Sequence, residues 1–300
     1  MTAARPRVLL VDDQVEVIHG LRRVLARLAP AFDFEPSGSG ADALARLEQA
    51  PWAVVVSDLR MPEMSGLELL RQVARRAPTT ARVLLSGTFD VDSATAALPI
   101  AHRFLGKPCD ARTLAALCGE LHRLAPAVAA TGVGAIVALA ITTDALTRAR
   151  AASDRVALAG AVRDQPALIA AMVHALGSQF LGDRCAPITL EQALASAGPA
   201  GVARLLGSGA LIAVDGDAAI PVRDHAARGR ARAEQVVRAG GTATDALAAL
   251  LATVDQLGTD DGSRWPGLRA GGGAAALLGL WGASDRLVDQ VGALAAGARD

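Results

Sequence analysis

The first 124 residues are constrained most by a repeated pattern, in which a short apolar run is followed by a segment with apolar residues at helical spacing. The first run, Arg7 to Val11, stops at two aspartates, and Val15 to Leu28 then carries apolar residues three or four positions apart. Four further pairs of predicted strands and helices follow, at 32–34 and 41–47, 53–56 and 67–74, 82–85 and 91–97, and 102–105 and 111–124. Five strands that alternate with five helices predict an α/β fold, with a five-stranded parallel sheet covered by helices on both faces.

Polar side chains follow four of the predicted strands. Asp12 and Asp13 come after the first strand, Asp58 ends the third, Ser86 ends the fourth and Lys107 follows the fifth. A single aspartate at a strand end is more often a helix N-cap than a ligand. However, ligands of parallel sheets bind at the carboxyl ends of the strands, so these four ends are expected to meet. Clustered carboxylates repel one another unless a cation lies among them, and a small set of hard oxygen ligands suits Mg²⁺.

Lys107 is the only lysine among the 30 Lys and Arg residues of the chain. The other 29 are arginine, a bias that indicates a GC-rich coding background. An arginine would bring a wide planar fork, whereas lysine carries a compact charge on a flexible stem. A lysine that survives in such a background is therefore expected to have a specific role, either to offset carboxylate charge or to bind an anionic substrate.

The strand-end motifs VLLVDDQ, SDLRMPEMSGLELL, VLLSG and FLGKPCD resemble, in order and spacing, those of the receiver domain of two-component response regulators. The resemblance covers nearly all of residues 5–124 and implies a flavodoxin-like fold. It implies that Asp58 is the phosphoacceptor and that a sensor histidine kinase or a phosphotransfer protein is the partner. It also implies the ligands of a Mg²⁺ cofactor, which are Asp12, Asp13, Asp58 and the backbone carbonyl of Arg60.

Three further residues take their expected roles from the same resemblance. Ser86 and Lys107 are expected to contact the phosphoryl oxygens, and Phe104 falls where the family has an aromatic switch residue. Ser86 departs mildly from the more usual threonine. An acyl phosphate would draw Ser86 and its loop inward, and the vacated space could then admit Phe104.

Residues 125–300 are predicted to form a second, all-α domain, because strand signals nearly vanish after the boundary at 124 and 125. The predicted helices are 154–162, 166–176, 189–197, 201–213, 224–239, 244–257 and 274–280. The 20 residues from Leu124 to Thr143 carry no charge and have the length of a membrane span. Since they are mostly Ala, Gly, Thr and Pro, they favour a linker that runs into a buried helix, and no membrane partner is expected.

Three segments of this second part, within 130–297, resemble the HDOD domain, a non-catalytic relative of HD-type phosphohydrolases. They read VRDQPALIAAMVHALGSQFLG, ITLEQALASAGPAGVARLL and GAAALLGLWGASDRLVDQVGAL. The metal-binding His-Asp pair of the HD enzymes is missing from 250–256, and Asp224 and His225 would make a weak metal site. His174 is expected to be a packing residue. The sequence thus predicts a non-enzymatic output that acts on an unknown downstream protein.

Two other readings of the second part stay open, a cyclic-dinucleotide phosphodiesterase controlled by the receiver and a DNA-binding regulator. The formal net charge is zero, which argues against nucleic acid as a partner. A cluster of arginines at 223, 228, 230, 232 and 238 is either a solvated helix face or a docking surface for an acidic partner or for the receiver. A second copy of the chain is a further candidate partner.

The three cysteines, Cys109, Cys118 and Cys185, have no CxxC spacing and are expected to be reduced, buried thiols. The N-terminus turns acidic after only four apolar residues, which argues against a signal peptide. Both observations favour a cytoplasmic protein.

Overall fold

The computed structural model describes residues 4–87, 91–135, 138–152, 154–163, 165–178, 189–252, 254, 258–259 and 273–297. Five strands form the first sheet: β1 (Arg7–Val11), β2 (Asp33–Ser37), β3 (Val54–Asp58), β4 (Ala81–Ser86) and β5 (Arg103–Gly106). All neighbouring strands are parallel, and the order is β2-β1-β3-β4-β5. From β1, the chain first adds β2 on one side and then β3, β4 and β5 on the other. A doubly wound sheet opens a ligand-binding crevice at such a switch point, here between β1 and β3.

Five helices connect and cover these strands: α1 (Val15–Leu28), α2 (Gly40–Gln49), α3 (Gly66–Arg76), α4 (Val91–Ala97) and α5 (Ala111–Thr131). Side-chain oxygens of Ser39, Ser65 and Asp110 accept backbone N–H groups at the starts of α2, α3 and α5. Every residue of β3 is buried, as expected for a central strand that is covered on both faces. The predicted flavodoxin-like α/β fold is confirmed.

The rest of the chain is mainly helical. Its helices are α6 (Thr143–Ala151), α7 (Arg155–Val162), α8 (Pro166–Gly177), α9 (Leu190–Gly207), α10 (Ala219–Arg238), α11 (Ala243–Leu251), α12 (Gly273–Leu280) and α13 (Asp285–Gly297). Short 3-10 turns occur at Val133–Ala135 and Gly216–Ala218. Three short strands, β6 (Ala138–Thr142), β7 (Leu211–Val214) and β8 (Gly258–Thr259), form a second sheet in the order β7-β6-β8.

This second sheet corrects the prediction of an all-α second domain. Ala138–Thr142 is a wholly buried apolar run, and such a run cannot be told from a buried helix by periodicity. The helix predicted at 201–213 ends at Gly207, and its last residues belong to β7. Helix α9 contains two helical segments, as predicted at 189–197 and from 201, and the non-helical backbone of Gly198 (φ 61°, ψ 172°) separates them at a kink.

The prediction that the uncharged stretch from Leu124 to Thr143 is a linker that runs into a buried helix is also wrong. Helix α5 continues through Pro126 to Thr131 and ends at Gly132, which has a φ of 77°. The 3-10 turn and β6 follow. The proposed boundary at 124 and 125 therefore lies inside a helix, and the division into two domains stays a prediction.

In the part of the chain that the structure describes, no single helix is long and apolar enough to cross a membrane. The segments Val156–Val162 and Pro166–Gly177 pass this test only as a pair, and they are bent by 113° relative to each other.

The two parts of the chain share one core of buried apolar side chains, which extends from Val8 in β1 to Val291 in α13. Helix α12 packs on α5, where a Cβ at Gly279 would lie 3.0 Å from the methyl groups of Leu124. Gly177 and Gly282 bring α8 and the end of α12 even closer, since a Cβ at Gly177 would lie 2.4 Å from the carbonyl oxygen of Gly282.

Two histidines lie at the contact between the two parts. His102 is 1% exposed, and burial together with the charge of Arg82 lowers its pKa well below the usual value. His174 stacks on Trp281 at 4.7 Å between ring centroids, as its predicted packing role requires. Burial, and then the charge of Arg103, lower the pKa of His174 to about 3.

We expect these histidines to make the folded chain sensitive to acid. Both are neutral when folded but protonate near pH 6.5 when unfolded, so their contribution to stability is present above pH 6.5 and is lost as the pH falls below it, for His174 down to a pH of about 3. For His174 alone, the free energy of unfolding should fall by about 2 kcal/mol between pH 7.5 and pH 5. Urea unfolding at the two pH values measures this difference. His174→Gln should reduce it, whereas His19→Gln, on the exposed face of α1, should leave it as in the wild type.

Candidate functional site

The carboxyl ends of the central strands surround a cavity of about 160 Å³. Strand β3 delivers Asp58, β4 delivers Ser86, and the loop after β5 delivers Lys107. The lining residues are Asp13, Gln14, Asp58, Leu59, Arg60, Ser86, Gly87 and Lys107. The structure thus brings together the predicted residues from four strand ends.

Asp58 is held in a fixed orientation at the bottom of this cavity. It is 8% exposed, and its Oδ2 accepts the backbone N–H of Arg60 at 2.6 Å. Its backbone carbonyl accepts the hydroxyl of Ser57 at 2.8 Å. The other carboxylate oxygen, Oδ1, contacts the ammonium of Lys107. Both carboxylate oxygens of Asp58 thus have a partner, a backbone amide at Oδ2 and an ammonium at Oδ1.

Lys107 contacts residues at the carboxyl ends of three strands, β1, β3 and β4. Its Nζ donates to Oδ2 of Asp12 at 2.6 Å and contacts Asp58, and its backbone N–H donates to the carbonyl of Ser86 at 2.6 Å. Burial lowers the pKa of Lys107, but the hydrogen bonds and charges of Asp12 and Asp58 outweigh this effect and raise it. The ammonium is therefore charged at neutral pH and offsets the two carboxylates.

The two N-terminal aspartates differ in their surroundings. Asp12 is 4% exposed, and both of its oxygens have partners, since Oδ1 accepts the backbone N–H of Gln14 at 2.9 Å and Oδ2 accepts Lys107. Asp13 is exposed and lines the cavity. Asp13 is thus open to a ligand, while Asp12 has a positioning role toward Lys107.

A magnesium ion fits the donor atoms that line this cavity. Within the described ranges, no cluster of three or more His, Cys, Asp or Glu side chains has the geometry of a metal site. Mg²⁺, however, usually keeps several waters and needs only one or two carboxylates. Asp13 and Asp58 supply carboxylates, and Arg60 lines the same cavity.

Ser86 in β4 and Phe104 in β5 lie on the same face of the sheet, because Phe104 pairs with Leu84, two residues before Ser86. Ser86 is 3% exposed and lines the cavity, as predicted. Phe104 is 1% exposed, pairs with Leu84 in the sheet and does not line the cavity. Its backbone N–H donates to the carbonyl of Ser178, in the second part of the chain, at 3.3 Å.

Sequence reasoning missed two residues that position the site. The backbone N–H of Gln14 orients Asp12. Gly66, at the start of α3, donates to the carbonyl of Leu59 at 3.0 Å, and a Cβ on Gly66 would lie 1.9 Å from the carbonyl oxygen of Asp58. Only the sequence order Ser65-Gly66, which is typical of a helix start, was available as a signal.

The groups considered for metal binding in the second part are not assembled into a site. His225 contacts the guanidinium of Arg228 at 2.7 Å, and burial and that charge lower its pKa. The segment aligned with the missing His-Asp pair begins at the end of α11, and residues 253, 255 and 256 lie outside the described residues. The clustered arginines all lie on α10, where Arg238 forms an ion pair with Glu234 at 2.8 Å.

Two of the three cysteines fall within the described residues, and both are free thiols. Burial, and then Asp110, raise the pKa of Cys109, while burial raises the pKa of Cys118 to about 12. Cys118 is buried, as predicted, whereas Cys109 is only half-buried. Cys185 lies outside the described residues.

Residues 8–118 match the response regulator receiver domain family. The N-terminal part of the chain is therefore the receiver domain of a two-component response regulator, as its motifs predicted. Such domains interact with a histidine kinase or a phosphotransfer partner, and they generally use Mg²⁺ for phosphorylation.

Curated relatives are similar to this chain over part of their length. They include an uncharacterised response regulatory protein of Vibrio cholerae, which is 33% identical over 116 residues, or 38% of this chain and 44% of that protein. The C4-dicarboxylate transport transcriptional regulatory protein DctD of Rhizobium meliloti is 34% identical over 35% of this chain and 23% of its own length. The response regulator PilR of Pseudomonas aeruginosa is 30% identical over 40% of this chain and 27% of its own length. The chain thus spans less than half the length of these relatives.

Among solved structures, the signal receiver domain of an HD domain-containing protein from Pseudomonas fluorescens is 27% identical. The match covers 41% of this chain and 99% of the solved receiver domain, with a TM-score of 0.39. A receiver domain protein from Clostridium thermocellum is 23% identical over 41% of this chain and 98% of its own, also with a TM-score of 0.39.

The close approach of Gly66 to Asp58 yields a testable prediction. Gly66→Ala should lower the free energy of unfolding by about 2–3 kcal/mol, because the added Cβ displaces the backbone that carries Asp58. Gly119→Ala is the matched control in α5, since a Cβ there meets nothing within 4 Å and should stabilise the helix by about 0.5–1 kcal/mol. Urea unfolding of both variants measures these changes, and equal stability of Gly66→Ala and wild type would contradict the prediction.

Proposed function

We propose that this chain is a response regulator in which Asp58 accepts a phosphoryl group from the phosphohistidine of a sensor kinase or a phosphotransfer protein. The observation that carries the proposal is the pairing of Asp58 with the single lysine of the chain. Asp58 lines the cavity, and the Lys107 ammonium that contacts its Oδ1 can bind the oxygens of an incoming phosphoryl group.

The transfer requires an ionised carboxylate and positive charge around the phosphorus atom. Oδ1 of Asp58 forms the new P–O bond while the P–N bond to the donor imidazole breaks, and its electron pair stays on that nitrogen. Lys107 offsets charge on the equatorial oxygens, and the hydroxyl of Ser86 donates a hydrogen bond to one of them. Asp13, Asp58 and the backbone carbonyl of Arg60 would hold Mg²⁺, with Asp12 beside them, and the ion when bound supplies further positive charge.

The exposed face of α1 supports a phosphodonor as the partner. Val17, Val24 and Leu28 are 51%, 46% and 42% exposed, and together with the half-buried Leu21 they form an apolar stripe. Helix α1 starts directly after Asp12 and Asp13, so this stripe begins at the rim of the cavity. We infer that a helix of the histidine-bearing donor packs on this stripe while its imidazole reaches Asp58.

For the second part of the chain, we propose an HDOD-like output that acts through protein contacts in the cytoplasm and has no enzymatic activity of its own. Support comes from the missing His-Asp pair and from the pairing of His225 with Arg228 rather than with a metal-ligating group. DctD is named as a transcriptional regulatory protein and PilR as a response regulator, but this chain matches only 23% and 27% of their lengths. The zero net charge favours a protein partner over DNA.

Phosphorylation by acetyl phosphate tests the role of Asp58. With acetyl phosphate and Mg²⁺, intact-mass measurement should show one added phosphoryl group on the wild-type chain and none on Asp58→Asn. Asp33→Asn, which changes an exposed carboxylate at the start of β2, should be phosphorylated like the wild type. No adduct on the wild type, or an equal adduct on Asp58→Asn, would refute the proposal.

Substitution of the α1 stripe tests donor docking. In the variant with Val17→Glu and Val24→Glu, the rate of transfer from a sensor kinase that phosphorylates the wild type should fall at least tenfold, because two charges replace the apolar contact. Phosphorylation by acetyl phosphate, which needs no protein contact, should be unchanged. Val237→Glu is the control, since Val237 is 58% exposed on α10. Equal loss with both phosphodonors would indicate damage to the site instead of to docking.

A further inference from the structure

Two adjoining cavities lie along helix α10, in the second part of the chain. One has a volume of about 490 Å³ and the other of about 200 Å³. Helix α10 contributes residues spaced three or four positions apart, which places them along one side of the helix. They are Val222, Ala226, Arg230, Ala233 and Val237. Because Arg230 lines both cavities, they meet at its side chain.

The larger cavity has an aliphatic wall, which includes Leu190, Val237, Leu247 and Leu250. A Cβ on Gly229 would lie 2.9 Å from the carbonyl oxygen of Leu250, so α10 and α11 pack closely and the wall between them is preformed. Among the described residues that line this cavity there is no aromatic ring on which a nucleobase could stack. The volume lies within the range of about 300–1,000 Å³ that is usual for small-molecule sites. The cavity therefore suits an aliphatic chain.

The smaller cavity is polar and positively charged. Three guanidinium groups line it, those of Arg148, Arg223 and Arg230. The hydroxyl of Thr142 and the amide of Gln165 add neutral hydrogen-bonding groups. Asp144 also lines this cavity and contacts Arg148, which offsets one of the three charges. Since guanidinium groups bind carboxylate and phosphate oxygens through paired hydrogen bonds, this cavity suits an anionic head group.

The excess of positive charge extends over both cavities. Arg163, Arg238, Glu191 and Glu234 line the larger one, and Arg238 forms its ion pair with Glu234 there. In the part of the chain that the structure describes, five arginines and three carboxylates line the two cavities together. An anion is therefore attracted to this site, and it is attracted most to the end where Arg223 and Arg230 lie.

We propose that the two cavities form one binding site for an amphipathic anion, with an aliphatic chain in the larger cavity and a carboxylate or phosphate head at Arg223 and Arg230. The site contains no residue of the receiver and does not depend on the proposed role of Asp58. Burial of the chain supplies most of the affinity, and the arginines fix its orientation. A partner helix with its side chains is about 10 Å across, so that even two turns of it exceed the larger cavity.

Calorimetric titration of the full-length chain tests the chain and the head separately. Each buried methylene lowers the Kd about fourfold, so decanoate should have a Kd at least fivefold below that of octanoate. Acetate, which lacks the chain, should show no binding, and 1-octanol, which lacks the charge, should bind at least tenfold more weakly than octanoate. Octyl phosphate distinguishes the two heads, since a Kd below that of octanoate identifies phosphate and a Kd above it identifies carboxylate.

Substitution of Arg230 tests the recognition of the head group. Arg230→Gln should raise the Kd of octanoate at least tenfold and leave that of 1-octanol unchanged, because the variant removes the charge and keeps the aliphatic wall. Arg232→Gln is the matched control, since Arg232 lies on the same helix but lines neither cavity. Its Kd for octanoate should equal the wild-type value.

A second variant fills the larger cavity. Ala246 is half-buried in its wall, and Ala246→Leu should raise the Kd of both octanoate and 1-octanol at least fivefold. Ala227→Leu, at an exposed position of α10 outside both cavities, should leave both unchanged. Far-UV circular dichroism establishes that each variant is folded.

Three results would overturn the proposal. They are equal Kd values for octanoate and decanoate with the wild-type chain, an unchanged Kd for octanoate in folded Arg230→Gln and Ala246→Leu, and binding of a helical peptide rich in glutamate and leucine without binding of decanoate. The last result would assign the cavities to a protein partner. The wild-type titrations decide the matter even where a variant does not fold.

Discussion

The ammonium of Lys107 is the interaction on which the site depends. It lies between the buried carboxylates of Asp12 and Asp58, which would otherwise repel each other in a region of low solvent access. The pKa of Lys107 is raised there, so the charge is retained although the residue is half-buried. An arginine would place a planar fork into the same space and could not approach both oxygens from one atom.

Strand β5 lies between Lys107 and the second part of the chain. Its end carries Lys107, and its outer edge carries the contacts to Ser178 and Gly279. As the edge strand of the first sheet, β5 pairs with β4 on one side, and the carbonyl of Ser178 accepts the backbone N–H of Phe104 on the other.

Much of the receiver could be predicted because its signals are local. Apolar runs bounded by polar residues define the strands, and parallel topology alone brings Asp58, Ser86 and Lys107 to one edge. The division of roles between Asp12 and Asp13 could not be predicted, since it depends on which oxygens Gln14 and Lys107 engage. The requirement for glycine at position 66 could not be predicted either, because it arises from the close approach of the start of α3 to the end of β3.

The second part was harder to predict because its sequence is rich in small apolar residues, which suit buried strands and buried helices alike. The same residues explain how the contact with the receiver is made. Gly177 and Gly282 let the backbones of α8 and the end of α12 approach each other, and Gly279 lies against Leu124 in α5 while its carbonyl accepts the guanidinium of Arg103. Hydrogen bonds between 2.6 and 3.0 Å are lost when the partners separate by less than an ångström or so. The contact therefore depends on a close approach of the α12 backbone to β5, which the guanidinium of Arg103 spans at 2.6 Å.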